Sequence, residues 1–446
     1  MTNNHVENNC IAHFLRQSGS GEVTGRVHML LLAATKRLTS DIRELNKEVR
    51  PPPEKLGALE RTTRKIKEIV AAAFSTRPLD VVDSTEKHSR GVVDVLCHGS
   101  HVYSTALADS ALDITVITND NPRARYYWRS LRDNVESMET VESLLLLPVK
   151  GTEAAALQPY PASLPVTLPL LERTDMLQYL STVISKSSLS RVSINRHSHN
   201  TFERICLGGA ADEIGMNLTV NQRDSVEACG VLRQFLRSNE PVRHVIILMK
   251  VILKQLHIHS SQLTPYVLTL MVVAFSRHCA NEYPLCGSFH YPHRRNMVES
   301  GYLLLSFLSF FSPPPRGLFT PTDMLIVPMH PDGIIKRSTC VPAPSPGECV
   351  NSWKVMDPIC HNQNVAASCS AIDQCPLFFE RILNRLLCGY LDASVLPLQH
   401  VDVELADGSN KWEANHCHWM NAFTGCGRPL FALLKAWRAH KKTDLS

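Results

Sequence analysis

The residues able to act on a charged ligand begin with Gly99-Ser100, followed by Ser110-Ala111-Leu112-Asp113-Ile114. A Gly-Ser pair behind a strand can aim backbone N–H groups and a hydroxyl at phosphate oxygens. Such dipeptides are common loop punctuation, and what gives this one meaning is a following strand with an acid, Asp113, near its start. Lys250 and Lys254 are four apart, so on a helix they share a face and can meet a polyphosphate together, or else snorkel to solvent. Tyr266 offers either a stacking platform for a base or a polar-tipped edge to a core. His416, Cys417, His418 and Cys426 have metal-ligand types but lack a matching second pair, which favours packing or a surface loop. His257 and His259 fall at a helix end, where the helix dipole accounts for them as well as a ligand does.

Two kinds of element must position these residues. Val92-Val93-Asp94-Val95-Leu96-Cys97 is β-branched and short, and 112–118 alternates with period two. Segments 189–194 and 215–220 read as further strands, so a small sheet occupies 90–220, with a Pro/Leu-rich excursion at 147–170. Helical periodicity covers 27–48, ended by Pro51-Pro52-Pro53, and then 55–74. It returns at 226–236, 242–256, 264–277, 298–311 and 373–391. Basic residues along 55–74 (Arg61, Arg64, Lys65, Lys67) suit a solvated face or contact with RNA. The end of the chain, around Trp437, suits either RNA binding by charge and stacking or a frayed, solvated helix.

Composition bounds the answer. The chain has 446 residues, 44% apolar and 20% charged, which supplies buried cores and argues against wholesale disorder. Lys and Arg total 46 against 42 Asp and Glu, a net charge of +4, so any nucleic-acid contact must come from a local patch. Fourteen Cys without a CxxC pair argue against a disulfide framework or zinc ribbon and predict reduced thiols in an intracellular protein. No stretch of ~18 uncharged apolar residues predicts a membrane span. Four regions are expected: a leader and helix at 1–54, a sheet domain with its preceding helix at 55–222, a helical domain at 223–395 and a tail at 396–446.

From Gly99 onward the chain resembles the non-canonical poly(A) polymerase and terminal uridylyltransferase family, which has the DNA polymerase β-like nucleotidyltransferase fold. The signature of that family is a Gly-Ser, a spacer, then Ser-Asp-x-Asp before apolar residues. Without gaps, Ser110 falls on the Ser, Ala111 on the first Asp and Asp113 on the second. An insertion of two residues would instead put Asp113 first and Thr115 second; the ungapped register keeps apolar Ile114 after the second Asp. Five further blocks follow in order. Arg191-Val192-Ser193-Ile194 resembles an Arg-Val-Pro-Ile strand, and Asn217-Leu218-Thr219-Val220-Asn221-Gln222 resembles the third-carboxylate strand with Asn217 in place of Asp. The helix bearing Lys250 and Lys254 resembles the one that faces the triphosphate, and Leu263-Thr264-Pro265-Tyr266 resembles the helix whose Tyr stacks on the incoming base. Met356-Asp357-Pro358 with Asn364-Val365-Ala366 resembles the nucleotide-recognition loop of the PAP-associated domain.

The resemblance implies an α+β protein, a small mixed β-sheet nucleotidyltransferase palm packed against a mainly helical PAP-associated domain. It implies ATP or UTP as nucleotide ligand, bound by Gly99, Ser100, Asn221, Lys250, Lys254, Tyr266 and Asn364. It also implies an RNA 3′ end as partner, with protein partners in an RNA-processing complex. Catalysis in the family resembles two-metal chemistry, with three carboxylates holding two Mg²⁺ or Mn²⁺. Here Asp113 alone remains as catalytic and metal-binding residue, since Ala111 and Asn217 occupy the other two positions. At on the order of 3 kcal/mol per lost carboxylate, two losses cost about four powers of ten in rate. An impaired catalyst or pseudoenzyme is therefore expected. The alternatives are an active adenylyl- or uridylyltransferase using Asp113 with a displaced acid (Asp109, Asp212 or Glu213), and a nucleotide-binding regulator without RNA.

Overall fold

Alternation over 112–118 puts Leu112, Ile114 and Val116 on one side of a strand and Asp113 and Thr115 on the other, and this division organises the sheet. In the computed structural model the described residues are 21–75, 92–118, 184, 192–196, 203–207, 214–255, 258, 262–282, 299–337, 353–360, 363–390 and 430. The leader before residue 21, the 147–170 excursion, Asp212, Glu213, His257, His259, the His416, Cys417, His418 and Cys426 group, and Trp437 lie outside them. The architecture is α+β, with a mixed sheet in one compact unit (50–238) and a helical bundle in another (1–49 and 239–444).

In the first unit, strands β1 (Val92–His98), β2 (Leu112–Thr118), β3 (Val192–Arg196), β4 (Glu203–Leu207) and β5 (Ile214–Val220) form one sheet in the order β1-β2-β5-β4-β3. β2 and β5 run parallel at its centre, and every other pairing is antiparallel. The core face gathers Val95, Leu112, Ile114, Val116, Met216, Leu218 and Val220 against Leu59, Ile66 and Val70 of helix α1 of this unit (Pro53–Ser75). Three of the four basic residues named on that helix are partnered outside the core: Arg64 meets Glu60 at 3.4 Å, Lys65 meets Glu68 at 3.2 Å and Lys67 meets Asp94 at 3.4 Å. A further helix, α2 (Arg223–Ser238), lies against β1 and the turn that follows it.

The strand expected at 189–194 is present as Val192–Arg196, with 189–191 outside the described residues, and β4 is a strand that the sequence pattern does not predict. Its residues, Glu203-Arg204-Ile205-Cys206-Leu207, place two charges before three successive apolar residues, so they carry no period-two signal. Pairing with β3 on one side and β5 on the other makes them a strand.

The helical unit holds α3 (Gly21–Val49), α4 (Glu240–Gln255), α5 (Pro265–Glu282), α6 (Ser300–Phe310) and α7 (Cys375–Tyr390), with a two-stranded ribbon of β6 (Met324–Ile326) and β7 (Ile334–Lys336). Val242, Val245, Ile246, Ile247, Leu248, Met249, Val251, Ile252 and Leu253 are all buried. A helix with so long an apolar run, buried from Val245 to Leu253, sits in the middle of its bundle. Aromatic rings fill the space among α5, α6 and α7, with Phe275 edge-on to Phe307 at 5.8 Å and Phe311 stacked on Trp353 at 5.7 Å. α3 joins the bundle through buried polar contacts: Gly301 N–H donates to Thr39 Oγ1 at 2.9 Å, and Tyr390 OH donates to Asp41 Oδ2 at 2.6 Å. Gly301 permits the approach, since a Cβ there would lie 2.5 Å from the Thr35 carbonyl oxygen. Among the described residues Cys229, Cys279, Cys369 and Cys375 are buried free thiols, and burial pushes Cys375 up to about 12, so it stays protonated. Among the same residues no helix is long and apolar enough to cross a membrane.

Tyr390→Phe removes the donor to buried Asp41. Denaturant unfolding should show a loss of about 1.5–3 kcal/mol, the range for a hydrogen bond to a carboxylate.

Candidate functional site

The site in the sheet unit grows from the parallel register of β2 and β5. Asp113 is the Cα partner of Asn217, and Thr115 of Thr219. Core residues alternate with these on both strands, so the four polar side chains share the face opposite the α1 core. Antiparallel pairing on the other side sets His98, the last residue of β1, opposite Asp113.

Asn217 Nδ2 donates to Asp113 Oδ1 at 2.7 Å. The reverse amide orientation would set two oxygens against each other, so the N–H end faces the carboxylate. Both residues are half-buried, which strengthens the bond over one in open water. Thr219 Oγ1 lies 3.4 Å from His98 Nε2 and donates to the Ile114 carbonyl at 3.1 Å. Burial pushes the His98 imidazole below its ordinary value, and the opposing pull of Asp113 is the smaller influence. Near neutral pH His98 is uncharged, so the hydrogen-bonding charge partner of Asp113 is the Asn217 dipole and not an imidazolium.

The turn after β1 is shaped around that carboxylate. Gly99 has φ +74°, and a Cβ on it would sit 2.0 Å from Asp113 Oδ2. Glycine is required on both counts. Gly99 N–H donates to the Cys229 sulfur of α2 at 2.9 Å, so this N–H, one of those expected to face phosphate, is committed within the protein. Val102 N–H closes the turn onto the Gly99 carbonyl at 3.0 Å, and Thr105 N–H binds the Ser100 carbonyl at 2.9 Å. Ser110 Oγ accepts Leu107 N–H at 2.9 Å, leaving Asp109 exposed in that turn and Ala111 partly exposed just before β2. Thr115 is fully buried, with its hydroxyl accepting Gln222 N–H at 3.1 Å. Asn221 follows β5 at φ +53°, a left-handed conformation that Asn adopts more readily than most residues. His98 and Cys229 escaped the sequence reading. Counting back from Gly99 along the antiparallel strand would have found His98, whereas Cys229 carries no sequence signal.

The other expected ligand residues belong to the helical unit. Lys250 of α4 is buried, 6% exposed, while Lys254 on the same helix is exposed. Thr264 caps α5 through Val267 N–H at 3.0 Å, with Pro265 in its favoured first helical position. Tyr266, next along, donates its hydroxyl to Asp357 Oδ2 at 3.1 Å. Asp357 Oδ1 accepts Ile359 and Cys360 N–H at 2.8 and 3.0 Å, forming the Asp-Pro loop. The ribbon supports this loop through bonds between Ile326 and Met356 and between Ile326 and Lys354. Asn364 closes it: Oδ1 accepts Val355 and Ala366 N–H at 3.0 and 3.1 Å, and Nδ2 donates to the Trp353 carbonyl at 3.1 Å. Both ends of this amide are engaged with backbone. Tyr266, Asp357 and Asn364 thus form one constellation, and Gly99, Asp113, Asn217 and Asn221 belong to the sheet unit.

The fold matches solved structures. The MgGTP-bound Cid1 poly(U) polymerase is 13% identical, over 85% of this chain and 98% of that one, with a TM-score of 0.51. The chain has the fold of that polymerase. The polymerase core of TRAMP, an RNA surveillance complex, is 15% identical over 79% of this chain and 88% of its own, with a TM-score of 0.49. No protein-family model matches the chain, and no curated protein matches it in sequence.

A pair of divalent cations in such a sheet asks for several anionic oxygens. The central pair β2 and β5, with the residue before β2, brings one carboxylate, an amide whose N–H already points into it, and the methyl of Ala111. Among the described residues no group of three His, Cys, Asp or Glu side chains is arranged to hold a metal ion. Among the described residues the donor set does not fit a metal pair.

Gly99→Ala should lower stability by about 1–3 kcal/mol in denaturant unfolding, the range for a strained left-handed residue, with the Asp113 clash adding to it. On α2, burial and then Asp224 push Glu227 up to about 6, against the pull of Arg223. A raised carboxylate pKa destabilises the fold as the group ionises, with the loss developing between about 4.5 and 6. Glu227→Gln should therefore gain about 1 kcal/mol at pH 7–8, after allowance for partial exposure, and flatten the stability profile across that window.

Proposed function

We infer that this chain is a member of the non-canonical poly(A) polymerase and terminal uridylyltransferase family that binds a nucleotide and an RNA 3′ end without efficient transfer of its own. The observation that carries this reading is the hydrogen bond from Asn217 to Asp113, where two-metal chemistry would need a second carboxylate. The shared fold and the ordered motif blocks from Gly99 to Ala366 support the family assignment. In this reading ATP or UTP is the ligand. Ser100, Lys250 and Lys254 would attend the triphosphate, Gly99 would serve by shaping the turn and not through its N–H, Tyr266 would stack on the base, and Asn221 and Asn364 would shape its surroundings. The helical unit would serve as the PAP-associated domain. The protein would act inside the cell beside partner proteins in RNA processing, where a binding member of the fold can position RNA for another polymerase.

Incubating purified protein with labelled RNA, each NTP and Mg²⁺ or Mn²⁺ tests the reading. The expected result is no extension above an Asp113→Ala control, with extension gained when Ala111→Asp and Asn217→Asp are combined. Efficient extension by the unmodified protein would overturn it in favour of a transferase using Asp113 with a displaced acid such as Asp109.

A further inference from the structure

We propose that the Asp113–Asn217 hydrogen bond takes the place of a divalent cation, so that this sheet binds its nucleotide as the free polyphosphate anion, with no need of Mg²⁺ or Mn²⁺. The proposal deepens the nucleotide-binding reading above and rests on it for the identity of the ligand. Two carboxylates as close as Asp113 and Asn217 stand across the parallel β2–β5 pair repel each other and a triphosphate, and a cation must hold all three together. Here the cross-strand contact is a donor on an acceptor at 2.7 Å. One negative charge remains, its Oδ1 is already engaged by an N–H, and its Oδ2 lies against the Gly99 backbone. A cation arriving at Asp113 would have to displace the Asn217 amide and would find a neutral oxygen in exchange. With one carboxylate where two would stand, the anionic repulsion that makes a cation necessary for an incoming polyphosphate is lowered, and the Asn217 N–H offsets part of what remains.

The full-length chain tests this by two independent readouts. In thermal melts without nucleotide, the wild-type midpoint should be the same in EDTA, Mg²⁺ and Mn²⁺. Asn217→Asp should melt several degrees lower in EDTA and recover with either cation. The exchanged pair, Asp113→Asn with Asn217→Asp, restores one amide and one carboxylate and should return to cation indifference. That exchange separates a general intolerance of Asp at this position from the charge effect. In calorimetric titrations with ATP and UTP, wild-type affinity should agree within about twofold in EDTA and Mg²⁺. Asn217→Asp should lose roughly tenfold in EDTA and regain it with Mg²⁺. A wild-type melt raised by Mg²⁺ or Mn²⁺, or nucleotide binding that requires Mg²⁺, would overturn the proposal while leaving the nucleotide-binding reading intact. Absence of ATP and UTP binding in every buffer would overturn that reading and the ligand assigned here, with the melts still deciding whether the strand pair is cation-independent.

Discussion

A neutral amide facing a carboxylate across two parallel strands is the interaction around which the sheet is arranged. Parallel pairing of β2 and β5 makes Asp113 and Asn217 nearest neighbours, and the alternation of both strands keeps them on the face away from the α1 core. The amide gives the half-buried carboxylate a partner that costs no second charge. Adjacent structure conforms to it. The backbone at Gly99 passes so close to Asp113 that only a residue without Cβ fits, and the Gly99 N–H turns towards Cys229 of α2. Thr219 ties His98 and the Ile114 carbonyl into the same layer. Strand pairing, a left-handed turn and a helix-borne thiol thereby fix one carboxylate.

The helical unit solves a different problem, holding a polar loop beside an apolar bundle. Its α4 is buried along most of its length, from Val245 to Leu253, and the rings of α5, α6 and α7 pack edge-on and stacked around Phe275 and Phe311. Against that bundle the Asp-Pro loop is built almost entirely from hydrogen bonds, with Asp357 accepting from two backbone N–H groups and Tyr266, and Asn364 bridging Trp353, Val355 and Ala366. Residues that could serve recognition also make the loop rigid. A rigid loop presents a ligand with a surface whose ordering cost was met on folding.

Much of this was legible in sequence where periodicity is strong and local. The seven segments read as helical all form helices, with ends displaced by a few residues, because apolar residues recur at helical spacing and Pro marks several boundaries. The alternating 112–118 segment forms a strand for the same reason. Segment 203–207 was not legible, since its character as a strand comes from neighbours on either side. The β6–β7 ribbon also lacked a signal: three-residue strands are too short to show a period. Within the site, Gly99 and Asp113 stand out by residue type and order, and Asn217 only through the family resemblance. His98 and Cys229 enter only through strand register and helix packing.

Sequence alone determined which groups are present: one carboxylate at 113, an amide at 217 and a methyl at 111, a chemical inventory that no folding can alter. The tertiary structure decided what the amide does. Positions 113 and 217 are separated by a long stretch of chain, and only the parallel register of their strands makes Asn217 a donor to Asp113. A shift of one residue would have sent that amide to the opposite face, among the aliphatic side chains.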